Sequence, residues 1–199
     1  ARGYPHVIYD KSGAGWPEHM VNAETPNLAK IDGILSLHLN LSLLRNNPEG
    51  HESHTYLHHI IENYNFLDDW TTFVQGHPFD HAKDWGAEWC AEPEQGWAWV
   101  GHWLVRDDAR GQPYHFHYIP VGRAYERIFE RPAPGSFDFI AGAQFVVSRE
   151  KILEKPRAFY EKVQALGYEK DFEFDWGYTM ERLWGCIWSE ALDSSDKRR

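Results

Sequence analysis

Histidines crowd into three short stretches: His51, His54, His58 and His59 in the first, His77 and His81 in the second, His115 and His117 in the third. Twelve imidazoles in 199 residues is a high count, and a neutral imidazole can move a proton or ligate a metal. Two residues apart on a strand, His115 and His117 would share a face. His77 and His81, four apart, converge if their loop turns helically, with Asp80 adding an oxygen. These spacings make His77, His81, His115 and His117 candidate ligands of one divalent or transition metal ion. With no Cys-x-x-Cys pair and no His-Glu-x-x-His motif, histidines that only hydrogen-bond fit the same pattern.

A second chemistry lies in the first stretch. Glu52, Tyr56, His59 and Asn63 stand at i, i+4, i+7 and i+11, one polar stripe of a helix. Glu52 at the start of that helix is a candidate general base or ligand for a metal or sugar hydroxyl, with His54 or Tyr56 as its proton partner. The plainer role for Glu52 is to complement the helix dipole. Asp80 joins these catalytic candidates. Paired carboxylates for glycoside hydrolysis can be drawn from Asp80, Asp84, Glu88, Glu173, Asp175 and Glu181. Ten Trp, ten Tyr and eleven Phe supply ring faces on which sugars or a partner protein can stack, or simply a core. Gln75, His59, Trp85, Gln144 and Glu181 are the expected substrate contacts.

The elements that must position these groups read as one α/β domain over residues 1–192, followed by a polar tail. His6–Tyr9 reads as a strand, and the Leu-rich run Asn27–Arg45 as a helix passing into a less regular segment. Leu57, Ile60, Ile61 and Tyr64 give the apolar period of a helix over Glu52–Tyr64. Trp70–Val74 reads as a buried strand with Gln75 and Gly76 at its carboxyl end, where open α/β sheets gather their ligands. Residues 84–112 read as a long loop, Tyr114–Val121 and Phe137–Val147 as strands. Ser148 caps a helix running through Glu150 to Leu166, and Tyr178–Leu192 is a last helix.

Charge and composition narrow the classes. Thirty acidic against twenty basic residues, net −10, repel a phosphate backbone, so nucleic acid is not an expected partner. No apolar run reaches the length of a membrane span. Ala1-Arg2-Gly3 carries neither an export signal nor an initiator Met. The expected origin is a trimmed product, of a secreted or anchored precursor or with an artificial start; the secretory pathway is favoured over the cytoplasm. Cys90 and Cys186 define no disulfide framework, and Asn40-Leu-Ser42 has the form of a glycosylation acceptor.

The run Gly50-His-Glu-Ser-His-Thr-Tyr-Leu-His-His-Ile-Ile-Glu-Asn-Tyr64, then Leu67-Asp-Asp69 and Thr72-Phe-Val-Gln-Gly-His-Pro-Phe-Asp-His81, resembles an uncharacterised domain-of-unknown-function family common in fungi, the DUF3431 type. Gly142–Glu150, Arg157–Tyr160 and Glu181–Trp184 extend the likeness to about three quarters of the chain. The family brings no activity with it. At the level of fold, the order helix, strand, polar turn, then a Gly-Ala-x-Phe-x-x-Ser junction resembles glycosyltransferases of the GT-A type, implying a mixed sheet flanked by helices. In such enzymes an Asp-x-Asp turn holds a divalent ion on the donor diphosphate; the matching place here reads Gln75-Gly76-His77. The resulting expectation is a carbohydrate-active, glycosyltransferase-like enzyme acting on a sugar or hydroxylated metabolite. The alternatives are a metal-dependent hydrolase, lyase or oxidase, and a non-catalytic module gripping a ligand with the Trp-rich stretch Trp85–Trp103.

Overall fold

The computed structural model describes residues 51–75, 78–82, 91–115 and 117–190. The expected strand at His6–Tyr9 and helix in Asn27–Arg45, and the candidates His77 and Trp85, lie outside them. The described elements are α1 (His51–Glu62), β1 (Trp70–Phe73), a 3-10 turn (Pro78–Asp80), β2 (Trp97–Trp99), β3 (Leu104–Asp108) and α2 (Val121–Phe129). They continue with β4 (Ser136–Ile140), β5 (Phe145–Ser148), α3 (Arg149–Leu153), α4 (Arg157–Leu166) and α5 (Trp176–Ser189). The architecture is mixed α/β, and all described strand pairs are antiparallel: one sheet in the order β1-β5-β2, a second pairing β3 with β4.

Strand β5 is central because all four of its residues are apolar or small enough to be buried on both faces. Phe145 and Val147 point to the main core, whereas Val146, on the other pleat face, joins Ala82 and Val100 in a small satellite cluster. The register sets Phe73 and Trp99 on either side of Phe145. Helices α1 and α5 close over that face. Tyr56 packs on Phe73, Phe145 and Trp184 with ring centroids 4.9–5.9 Å apart, and Trp184 stacks on Trp188 at 5.7 Å. Each such ring pair adds about 0.5–1.5 kcal/mol beyond the area it buries. Much of the aromatic excess is therefore core.

Several expected elements are corrected. Residues 84–112 do not form one loop, since β2 and β3 fall inside that span; their Trp-x-Trp and Leu-Val-Arg-Asp-Asp runs are too short to show a period. Tyr114–Val121 is no strand: the described residues there form turns and bends, and α2 begins at Val121. That helix was missed although Val121, Ala124, Tyr125, Ile128 and Phe129 recur at the helical spacing and are all buried. Phe137–Val147 is two strands, broken where Gly142 adopts φ +99°. The helix expected from Ser148 does start there, with Ser148 Oγ accepting the Lys151 N–H at 3.1 Å. It ends at Leu153, and α4 starts after Pro156, because proline cannot donate to a continuous helix. Among the described residues no helix is long and apolar enough to cross a membrane.

Candidate functional site

A cleft of about 260 Å³ opens where the first turns of α1 and α5 meet the end of β1 and the β4–β5 turn. Its acidic groups are Glu52, in the first turn of α1, and Glu181, in the second turn of α5. Gln75 reaches it from the residues after β1, and His81 from the segment after the 3-10 turn. Tyr114 and His115 come from the chain after β3. His51, Tyr178 and the glycines 142 and 177 complete the described wall.

The two glycines are there because imidazoles lie against them. A Cβ on Gly142 would meet the His81 side chain at 2.7–2.8 Å, and one on Gly177 would meet that of His51 at 2.5–2.9 Å. Gly142 serves twice, since its N–H donates to Glu181 Oε1 at 2.6 Å. The other carboxylate oxygen, Oε2, accepts from Arg182 at 2.9 Å. Arg182 is wholly buried behind the cleft, paired with the equally buried Asp107 at 2.8 and 2.9 Å. Its guanidinium also lies 4.4 Å over the Phe139 ring and donates to the Tyr178 carbonyl at 2.8 Å. Asp107 Oδ1 in turn accepts the Tyr114 N–H at 2.9 Å. The buried pair thus ties β3, the Tyr114 loop and α5 together, and a pair so desolvated depends on these added hydrogen bonds.

Burial, reinforced by Arg182 and His117, pushes His115 below its ordinary value, so it is a neutral imidazole able to accept a proton near pH 7. The Tyr114 phenol is pushed up, chiefly by burial and then by Glu181. Their rings form one aromatic series: His115 lies 4.3 Å from Tyr178, which is 5.5 Å from His51. On the other side His81 stacks at 6.5 Å on Trp103, which meets Tyr114 edge-on at 5.6 Å.

Of the residues singled out in the sequence, Glu52, Gln75, His81, His115 and Glu181 therefore share one cleft. Others are elsewhere. Tyr56 is in the core, 3% exposed, its hydroxyl with no hydrogen-bond partner among the described residues and its pKa raised well above the ordinary value by burial. His54 is buried with Nε2 2.5 Å from the Tyr168 hydroxyl. His59 packs edge-on against Phe73 at 5.6 Å and contacts Asn63, and Gln144 is fully buried. Asp80 is exposed on the 3-10 turn. His117 does not line the cleft; its Nε2 pairs with Asp175 at 2.9 Å. Tyr56, His54 and His59 thus lose the cleft positions expected of them because α1 is packed on two sides, and His117 because the His115–His117 segment turns; Gln144, buried before β5, and Asp80, on the 3-10 turn, are also absent from the described wall. Among the described residues no three His, Cys, Asp or Glu side chains are arranged to hold one metal ion. In the Trp-rich stretch, Trp97 and Trp99 pack partly against the core while Trp103 is half exposed.

Sequence reasoning missed Tyr114, Tyr178, the two glycines and the Asp107–Arg182 pair. The signal for Tyr178 was the Trp176-Gly-Tyr178 run at a helix start; for Asp107 and Arg182 there was none, since buried pairs leave no spacing.

Residues 89–198, more than half of the chain, match the family described as "Protein of unknown function (DUF3431)". The chain belongs to that family. Within the DUF3431 span lie Tyr114, His115, Gly142, Tyr178 and Glu181; the Gly50–His81 stretch, with Glu52, Gln75 and His81, precedes it. No curated protein and no solved structure matches.

Proposed function

We propose that this DUF3431 protein is a carbohydrate-active enzyme whose cleft binds a sugar or another small hydroxylated metabolite and moves protons on it. The observation that carries this reading is the meeting of Glu52, Gln75 and Glu181, from three separate elements, with the Tyr114 and Tyr178 rings in one cleft. Carboxylates and carboxamides accept and donate to hydroxyls, and aromatic rings take the apolar face of a sugar. The size of the cleft, just below the roughly 300–1,000 Å³ of drug-sized sites, suits one ring. Glu52 is the general base: its carboxylate takes the proton of a bound hydroxyl as that oxygen bonds to the anomeric carbon of a donor sugar, whose bond to its leaving group breaks and carries the electron pair away. Since His54 and Tyr56 are buried in packing, the proton partner is one of the cleft imidazoles, His51, His81 or His115. Glu181, held by Gly142 and Arg182, orients the ligand.

In its finer form the reading is glycosyltransferase-like, with the hydroxylated ligand as acceptor and a nucleoside diphosphate sugar as donor. A divalent ion would then draw on His81 and His115, and would neutralise the diphosphate. Thermal melts decide among these forms, because a ligand that binds only the folded state raises Tm. Monosaccharides are expected to raise Tm at millimolar concentration, and nucleotide sugars to do so when a divalent ion is present. If the nucleotide sugars give no shift and a free sugar does, the transferase form falls and a hydrolase or binding role remains. If no sugar shifts Tm, the carbohydrate reading falls.

A further inference from the structure

The aromatic series along the cleft ends on a ring that is not part of the described wall. Tyr178, His115 and Tyr114 follow one another at 4.3 and 5.6 Å, and Trp103 meets Tyr114 edge-on at 5.6 Å. Trp103 is 52% exposed, and its place is fixed from several sides. Its carbonyl accepts the N–H of Ala141, the residue before Gly142, at 3.0 Å. Its indole stacks at 6.5 Å on His81. The chain just before it runs close to the His81 backbone, a Cβ on Gly101 falling 3.3 Å from the His81 carbonyl oxygen. Gly142, His81 and Tyr114 all line the cleft, so Trp103 is seated on the cleft's own wall and extends it outward. A cleft of about 260 Å³ holds one sugar ring. A second ring joined to the first must lie outside, and an indole already held in place offers it an apolar face with little side-chain freedom left to lose.

We infer that Trp103 forms a second sugar subsite, and that the ligand is a glycan of two or more rings, the first in the cleft and the next on the indole. The inference rests on the sugar reading above and deepens it. A pyranose whose substituents are equatorial presents a flat face of C–H groups, the shape that lies on an indole, so the class expected is a β-linked glycan.

Calorimetric titration of the whole chain with three matched pairs tests it: glucose and cellobiose, N-acetylglucosamine and chitobiose, mannose and β-mannobiose. In at least one pair the disaccharide is expected to bind about tenfold more tightly than its monosaccharide. Trp103→Ala is expected to bring that ratio towards one, and Trp103→Phe to keep part of it. In the unaltered protein, the indole N–H resonance that is missing from Trp103→Phe is expected to shift with the disaccharide and not with the monosaccharide, which decides the matter should Trp103→Ala fail to fold. Equal binding within every pair, or a disaccharide gain that Trp103→Ala leaves intact, overturns the inference and leaves the sugar reading standing. No heat with any of the six sugars overturns both. Self-association that Trp103→Ala abolishes, with the disaccharide ratio unchanged, overturns the subsite and assigns the ring to contact with a second copy of the chain.

Discussion

At the scale of single residues, two neighbours on α1 have opposite fates. Glu52 faces the cleft, and Tyr56, one turn on, is enclosed by Phe73, Phe145 and Trp184. Were Glu52 only a partner of the helix dipole, its removal would cost at most about 1 kcal/mol and no turnover. As the base, Glu52→Gln is expected to keep Tm within a degree or two and lower turnover of the substrate found in the melts by about a hundredfold or more. A variant that loses stability but keeps turnover per folded molecule would assign Glu52 to folding. Tyr56→Phe should do the reverse of what a catalytic tyrosine does. Its hydroxyl is buried with no hydrogen-bond partner among the described residues, so deleting it relieves a desolvation cost on the order of 1 kcal/mol. Tm is expected to hold or rise, with turnover intact; a large loss of either would return Tyr56 to the site.

At the scale of elements, the β5–α3 junction carries a helix cap that lies apart from the cleft. The β4–β5 turn places Gly142 against His81 and Glu181, and β5 then runs buried into the Ser148 cap. Ser148 Oγ accepts the Lys151 N–H and thereby satisfies one donor that the short α3 cannot satisfy internally. Ser148→Ala is expected to cost about 1 kcal/mol in chemical denaturation, without altering ligand affinity. A change in affinity larger than the stability loss would mean that the cap sets the position of β5 and with it the Gly142 turn.

At the scale of the whole molecule, partly buried imidazoles make stability depend on pH. Burial lowers the pKa of His58, His59 and His115, with His58 adding at His59 and Arg182 at His115, against opposing pulls from Glu62 and Asp68 on α1 and its following loop. A depressed folded-state value means that the unfolded chain takes up the proton first. The stability these groups contribute is thus fully present above the ordinary value of about 6.5 and is lost as pH falls through the folded-state values. Tm is expected to be level between pH 8 and 7 and to fall from about pH 6.5 downward. A Tm that rises over that interval would contradict the burial of these rings.

The sequence by itself determined part of the helical frame, three helix positions out of the described five. The 3.6-residue period of Leu57, Ile60 and Ile61 marked α1, the aromatic-rich run before Leu192 marked α5, and Ser148 marked the start of α3, since caps and periods are local. It also marked Glu52, Gln75, His81, His115 and Glu181 as candidates, because few other residue types do this chemistry. Only the tertiary structure decided which candidates meet. A period tells which residues share a stripe and says nothing of how many sides are covered. With the sheet on one side of α1 and α5 on another, Tyr56 and His54 are buried although they flank Glu52 in sequence. The short strands β2 and β3 escape a period-two reading for want of length, and Tyr114–Val121 alternates without pairing because strand order is fixed by partners remote in the chain. Asp107, Arg182 and Glu181 form one network only because α5 packs on the β3–β4 pair, and that long-range contact is what holds Glu181 in the cleft.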